Sequence, residues 1–193
     1  TGFQMPFMID DYETGYKAIT SDTAEKTLQA LEEFNIKGLA IVQTGMRKLG
    51  NNVKPIKTIE DFEGLKLRAP EAGLHLDMYK ALGASPTPVA FPEIYTSMQT
   101  GVLEGTDQLL ATHVADNFIE VFDYLSETKF YPWPAIIALS LDTYESLSAD
   151  QQEALKQAAV DTQAFIYENV EKYEEEALEK IKQTDIQIDP SLD

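Results

Sequence analysis

The chain has 193 residues, 44% hydrophobic and 10% aromatic, which is enough apolar material to build a buried core without staples. Against 33 acidic residues stand 15 basic ones, a net charge of −18 that argues against a nucleic-acid surface, because neutralising phosphates takes clustered cations. Cysteine is absent, so disulfides, thiolate metal sites and cysteine nucleophiles are excluded, and no apolar run approaches the roughly 20 residues that span a bilayer.

From Asp11 to Phe34 the apolar spacing predicts helical segments, with Ser21-Asp22-Thr23 supplying caps where the pattern breaks. Gly38 to Val42 reads as a buried strand. Thr58-Ile59-Glu60-Asp61 has the spacing of a capping box and opens a short helix that Gly64 ends. Leu65 to Arg68 alternates like a strand, and Pro70 forbids its continuation into a regular ladder. A helix over about Ala72 to Leu82 stops at Gly83. Thr87 to Ala90 is extended, and Pro92 suits the first turn of a helix that runs to Thr100. Val102 to Gln108 reads as a strand or extended turn, Leu109 to Asn117 as a helix, and Tyr124 to Tyr131 and Ala135 to Leu141 as extended. A second capping box, Ser148-Ala149-Asp150-Gln151, launches the longest element. Leu155, Ala159, Thr162, Ile166, Val170, Tyr173, Ala177 and Ile181 recur every three or four residues, so one amphipathic helix is predicted to about Lys182. A coiled-coil arm is the alternative, but the small and polar members of its stripe favour packing on a globular body. Strands alternating with short helices predict an α/β domain with a largely parallel sheet, whose ligands bind beyond the carboxyl ends of the strands.

The cations are unevenly spread. Residues 46–133 hold 8 of the 15, including both arginines, Arg47 and Arg68. Arg68 follows a predicted strand and precedes Ala69-Pro70, so its backbone is stiff. A guanidinium offers a fixed fork of donors that matches a carboxylate in two places, which lysine cannot do. A surface arginine pairing with Glu71 or Glu93 fits the same position. Arg47 follows the first strand and converges on the same crevice, or is likewise a surface arginine. Trp133, the single tryptophan, sits between Pro132 and Pro134, stiffened either as a pocket wall or, as the plainer reading, for core packing. Phe91 and Gln108 lie at or just past strand ends.

Enzymatic constellations are poorly represented. His75 and His113 fall in separate predicted helices with no His-x-x-x-His pattern, no Gly-x-Ser-x-Gly occurs, and Gly101-Val102-Leu103-Glu104-Gly105 lacks the third glycine of a dinucleotide fingerprint. Glu104 and Asp107 could act as an acid/base pair, although acids are abundant throughout. No metal site and no cofactor are expected.

The middle of the chain resembles a known family. The run from Pro55 to Pro70, with Lys57-Thr58-Ile59-Glu60-Asp61 and Gly64-Leu65-Lys66-Leu67-Arg68, is similar to the signature of the DctP-type solute-binding proteins of TRAP transporters. Leu82-Gly83-Ala84-Ser85-Pro86-Thr87-Pro88 and Phe91-Pro92-Glu93-Ile94-Tyr95 with Met98-Gln99-Thr100-Gly101-Val102 resemble two further family blocks, in family order and spacing. Pro6-Phe7-Met8 and the segment Tyr144 to Leu155 match more loosely, with tyrosine where the family usually has tryptophan.

The resemblance implies a two-lobed, clamshell periplasmic-binding-protein fold with a long C-terminal helix spanning the lobes. On that pattern residues 1–45 belong to lobe I, 46–133 form lobe II and 134–193 return to lobe I. It implies that Arg68 bonds a ligand carboxylate, that Arg47 matches a second family arginine less securely, and that Phe91 and Trp133 line the pocket. Gln108 stands where the family has a ligand-contacting asparagine, one methylene shorter. The function implied is a non-enzymatic extracytoplasmic solute-binding protein, periplasmic and monomeric, that captures a small organic acid and delivers it to TRAP membrane subunits. The chain, starting at Thr1 with no initiator Met, is expected to have lost its signal peptide and to lack the family's amino-terminal βαβ units and last helices. The rivals are a carboxylate-handling lyase or isomerase using Glu104 or Asp107, and an interaction module built on the acidic final helix.

Overall fold

The computed structural model describes residues 2–190. Two sheets organise it. The first is a two-stranded antiparallel ribbon of β1 (Ile36–Met46) and β7 (Pro132–Ser140). The second has six strands in the order β4-β3-β5-β2-β6-β8, namely β4 (Thr87–Pro88), β3 (Leu67–Ala69), β5 (Gly105–Gln108), β2 (Lys48–Asn51), β6 (Tyr124–Ser126) and β8 (Gln187–Asp189).

Local chemistry sets the helix starts. Asp11 accepts a hydrogen bond from Thr14 N at 2.7 Å to cap α1 (Tyr12–Ile19), and Ser21 caps α2 (Asp22–Ala30). Both pack on β1, where Ile19, Ala24 and Ile41 form a small core. The Thr58–Asp61 capping box is present, but it opens a single 3-10 turn, Ile59–Phe62, and not an α-helix. The helices α3 (Gly73–Ala81), α4 (Ile94–Gln99) and α5 (Leu110–Ala115) link the strands of the larger sheet, and α6 (Leu141–Glu145) follows β7.

The predicted largely parallel sheet is in fact mixed. The ladders β3–β4, β3–β5 and β6–β8 are parallel, whereas β2 runs antiparallel to both β5 and β6. The reason is connectivity. Parallel neighbours need crossovers, which α3 and α4 provide, but β2 enters directly from β1 through Arg47 with no crossover and wedges into the middle of the sheet. Two separate apolar clusters hold this sheet. One is built on Leu49, Phe62, Leu67, Tyr79, Phe130 and Tyr131, the other on Ile94, Met98, Leu103, Phe118, Phe122 and Leu125.

Helix α7 (Ala149–Ile181) has 33 residues, begins at the Ser148–Gln151 capping box and is about 50 Å long at 1.5 Å per residue. It serves both sheets. Gln163 Nε2 donates to Ile41 O at 2.6 Å, Glu174 Oε1 accepts from Met46 N at 2.8 Å, and Ala177 and Ile181 complete the second core cluster. The helix therefore packs along a globular body, as its apolar stripe predicts.

Candidate functional site

Strand direction converges the site. Because β2 is antiparallel to β5, its first residue, Lys48, pairs with Gln108 at the carboxyl end of β5. Arg47, one residue earlier, thus reaches the same sheet edge as Gln108. Arg68 lies on β3 level with Thr106 of the parallel β5, close to that edge, and Phe91 follows the end of β4. Met46 pairs with Pro132, which brings Trp133 of β7 alongside.

All five residues singled out from the sequence line one cavity of about 310 Å³, near the small end of the range of roughly 300–1,000 Å³ usual for ligand pockets. Pro70, Leu109, Thr112 and Asp116 complete its lining. None of these four is marked as a site residue by the sequence. Thr112 and Asp116 lie four apart on α5 and at its C-cap, a spacing that puts both on one side of the predicted Leu109–Asn117 helix, whereas Gln108 belongs to β5 and shares no helical period with them.

The two arginines have opposite environments. Arg47 is 3% exposed; its Nε donates to Asp107 Oδ2 at 3.0 Å and its Nη2 donates to the Asp107 carbonyl. Tyr131 also donates to Asp107 Oδ2, at 2.6 Å. Burial pushes the Asp107 carboxyl up, but the Arg47 charge and the hydrogen bonds from Arg47 and Tyr131 outweigh it and bring the pKa down to about 2. Burial likewise opposes the Arg47 charge, and Asp107 more than compensates. The guanidinium lies 4.3 Å from the centre of the Trp133 ring, whose backbone carbonyl accepts from Thr44 Oγ1 at 2.6 Å. Trp133 therefore joins the first core cluster and also walls the cavity.

Arg68 is 8% exposed and is held by a single hydrogen bond, Nε to Val89 O at 3.0 Å. No acidic side chain among the described residues pairs with it, Glu71 and Glu93 included. Burial and the neighbouring Arg47 charge lower its pKa, so its charged form is held in an unfavourable setting. An anion at its free terminal nitrogens would offset both by Coulomb attraction. Two residues along β5 from Thr106, the register partner of Arg68, Gln108 Nε2 donates to Thr106 Oγ1 at 3.2 Å, which leaves the amide oxygen and the second amide hydrogen for a ligand.

The acids considered for proton transfer are otherwise engaged. Asp107 is fully buried beneath Arg47, while Glu104 Oε2 accepts from Lys66 N at 2.9 Å and its Oε1 lies 3.6 Å from Lys66 Nζ. Neither lines the cavity. His75 is buried beside Tyr131 and Trp133, and His113 lies beneath β2 with Nε2 3.0 Å from Lys48 O; burial lowers both pKa values, that of His113 to about 4. Among the described residues no group of His, Cys, Asp or Glu is arranged to hold a metal ion.

The model of the DctP family, bacterial extracellular solute-binding protein family 7, matches residues 1–192. The chain belongs to this family. A sialic acid-binding periplasmic protein of Vibrio cholerae is 32% identical over 155 residues, covering 80% of this DctP-family chain and 48% of that protein. A solute-binding protein of Roseobacter denitrificans is 36% identical over 137 residues, covering 71% of this chain and 42% of its own length. The sugar acid binding protein of Advenella mimigardefordensis, solved in complex with galactonate, matches with a TM-score of 0.93 at 27% identity, covering 99% of this chain and 61% of that one. A TRAP periplasmic solute binding protein of Polaromonas, bound to D-erythronate, gives 0.93 at 29% identity, covering 98% and 62%. The fold is thus that of the two-lobed TRAP periplasmic binding proteins, with α7 as its long C-terminal helix. The chain spans 42% to 58% of the length of the curated relatives it matches.

Proposed function

We propose that this chain is the ligand-capturing part of an extracytoplasmic solute-binding protein, which takes a small organic acid through an Arg68–carboxylate ion pair and hands it to the membrane subunits of a TRAP transporter. The observation that carries the reading is the unpaired Arg68: a cavity-lining guanidinium, disfavoured by burial and by Arg47, with no acidic partner among the described residues. Both terminal nitrogens can engage one carboxylate, and such charge-assisted bonds contribute about 1.5–3 kcal/mol each where water is excluded. Arg47 assists through the part of its guanidinium not bound to Asp107. Phe91 and Trp133 pack the carbon skeleton, and Gln108 reads a polar group.

In this reading residues 46–133 form one lobe and 1–45 with 134–193 the other, with Arg47 at one passage between them and Trp133 at the second, except that the end of α7 and β8 return to pack with the strands of 46–133. Closure of the lobes on the acid expels water and strengthens the ion pair, and the closed, periplasmic monomer is the form that the permease recognises. The names of relatives support organic acids as the ligand class, with sialic acid and galactonate bound by two of them. The commitment of Asp107 and Glu104 to structural pairs favours a carrier over a lyase or isomerase.

Titration calorimetry of the protein against D-erythronate and galactonate tests it. Arg68→Ala is expected to weaken binding by roughly a hundredfold, about 3 kcal/mol. Unchanged affinity in that variant would remove the anchor, and release of chemically altered acid on denaturing the complex would favour the enzyme.

A further inference from the structure

Charge in the cavity is arranged along an axis. At one end Arg68 is an uncompensated cation. The positive charge of Arg47 is offset in part by the buried Asp107. The remaining charged residue of the lining is Asp116, the C-cap of α5, which is exposed to solvent at the cavity and makes no ion pair or side-chain hydrogen bond among the described residues. One helical turn before it Thr112 lines the same cavity, and Gln108, at the end of β5, lines it too, with one amide hydrogen given to Thr106 Oγ1. Beside Arg68, therefore, the lining offers the Gln108 amide and the Thr112 hydroxyl, which both donate and accept, and the Asp116 carboxylate, which only accepts. Asp116 alone brings negative charge and a purely accepting group to the cavity.

We infer that Asp116 is a specificity-determining residue that makes the cleft select monocarboxylates bearing hydrogen-bond donors, hydroxyl or ammonium, away from the carboxyl group, and reject dicarboxylates. The inference rests on Arg68 as the carboxylate anchor. The rest of a ligand held there fills a cavity whose other polar lining includes Gln108, Thr112 and Asp116. Hydroxyl groups satisfy those acceptors, whereas a second carboxylate meets another negative charge with no cation assigned to it. Discrimination thus comes from repulsion of the wrong ligand as much as from attraction of the right one. Asp116 is at the surface and outside both core clusters, so replacing it leaves the fold intact.

The test compares two four-carbon acids, D-erythronate and succinate, by titration calorimetry on the wild-type protein and on Asp116→Asn and Arg68→Ala variants. Wild type is expected to prefer D-erythronate by at least about tenfold. Asp116→Asn, which keeps an acceptor and removes the charge, is expected to raise succinate affinity by roughly tenfold while changing that for D-erythronate far less, which closes most of the gap. Raising the salt concentration should narrow the wild-type gap by more than that of Asp116→Asn, because the variant lacks the exposed charge nearest the ligand. Equal wild-type affinities for the two acids, or a ratio unmoved by Asp116→Asn, would overturn the inference while the anchor stands, provided Arg68→Ala still weakens both. If Arg68→Ala weakens neither, the anchor itself is wrong.

Discussion

Arg47 and Arg68 line the same cavity, yet one is a structural cation and the other a reactive one. Arg47 is satisfied from within: Asp107 takes its charge, Tyr131 supports Asp107, and Trp133 covers the guanidinium face. Arg68 is positioned by one backbone carbonyl and otherwise left open. In a chain with 33 acids the supply of counter-charges is not limiting, so withholding one from Arg68 is what makes a site. Perturbing the Arg47 side should therefore show up in stability, and perturbing the Arg68 side in binding.

The largest expected effect separates them at once. Asp107→Asn strands a buried guanidinium and should cost about 3–5 kcal/mol in chemical denaturation, because removing one partner of a buried pair leaves the other charge uncompensated. A loss below about 1 kcal/mol would mean that Arg47 is solvated and the contrast false. Next comes acid sensitivity on the same side. His113 has a folded pKa of about 4 against 6.5 unfolded, so the unfolded state takes up the proton first. Stability is complete above pH 6.5 and is lost as the pH falls toward 4, by about 3 kcal/mol in total, with buried His75 adding in the same direction. Denaturation midpoints measured across that range should decline in wild type and decline much less in His113→Gln.

Smaller effects sharpen the picture. A Cβ on Gly105 would lie 2.8 Å from Gly50 O and 2.9 Å from Leu67 Cδ2. Gly105→Ala in β5, the strand between those that lead to the two arginines, should cost about 1–3 kcal/mol by overpacking and show in a lower melting temperature. Arg68→Lys keeps the charge and loses the fork, so titration calorimetry should find acid binding roughly tenfold weaker, about 1.4 kcal/mol, with unliganded stability unchanged within about 0.5 kcal/mol. A stability loss there matching that of Asp107→Asn would erase the distinction.

The sequence reveals the elements better than their directions. Caps and breakers at Ser148, Gly64, Gly83 and Gly101 locate helices and turns, and Ala159, Val170, Ala177 and Ile181 of the α7 stripe are buried, although Thr162 and Tyr173 are exposed and Gln163 turns inward in their place. Lys48-Leu49-Gly50-Asn51 gives no such signal. Its strand is short, contains glycine and two polar side chains, and is recognisable only once its neighbours are in place, so the mixed sheet was illegible. The five cavity residues could be named because motif spacing and strand ends marked them. The partner of Arg47 could not, because Asp107 is one acid among many and lies 60 residues away. Asp116 was passed over for the same reason.

The two straps that α7 throws onto β1 set a ruler. Gln163 and Glu174 are eleven residues apart on a helix rising about 1.5 Å per residue, so their anchor points are separated by about 16 Å. Ile41 and Met46 are five residues apart on a strand rising about 3.3 Å per residue, again about 16 Å. The two rods share a common measure over that stretch. A residue deleted between the straps would swing one of them about 100° around the helix, so this stretch tolerates substitution far more readily than a change of length.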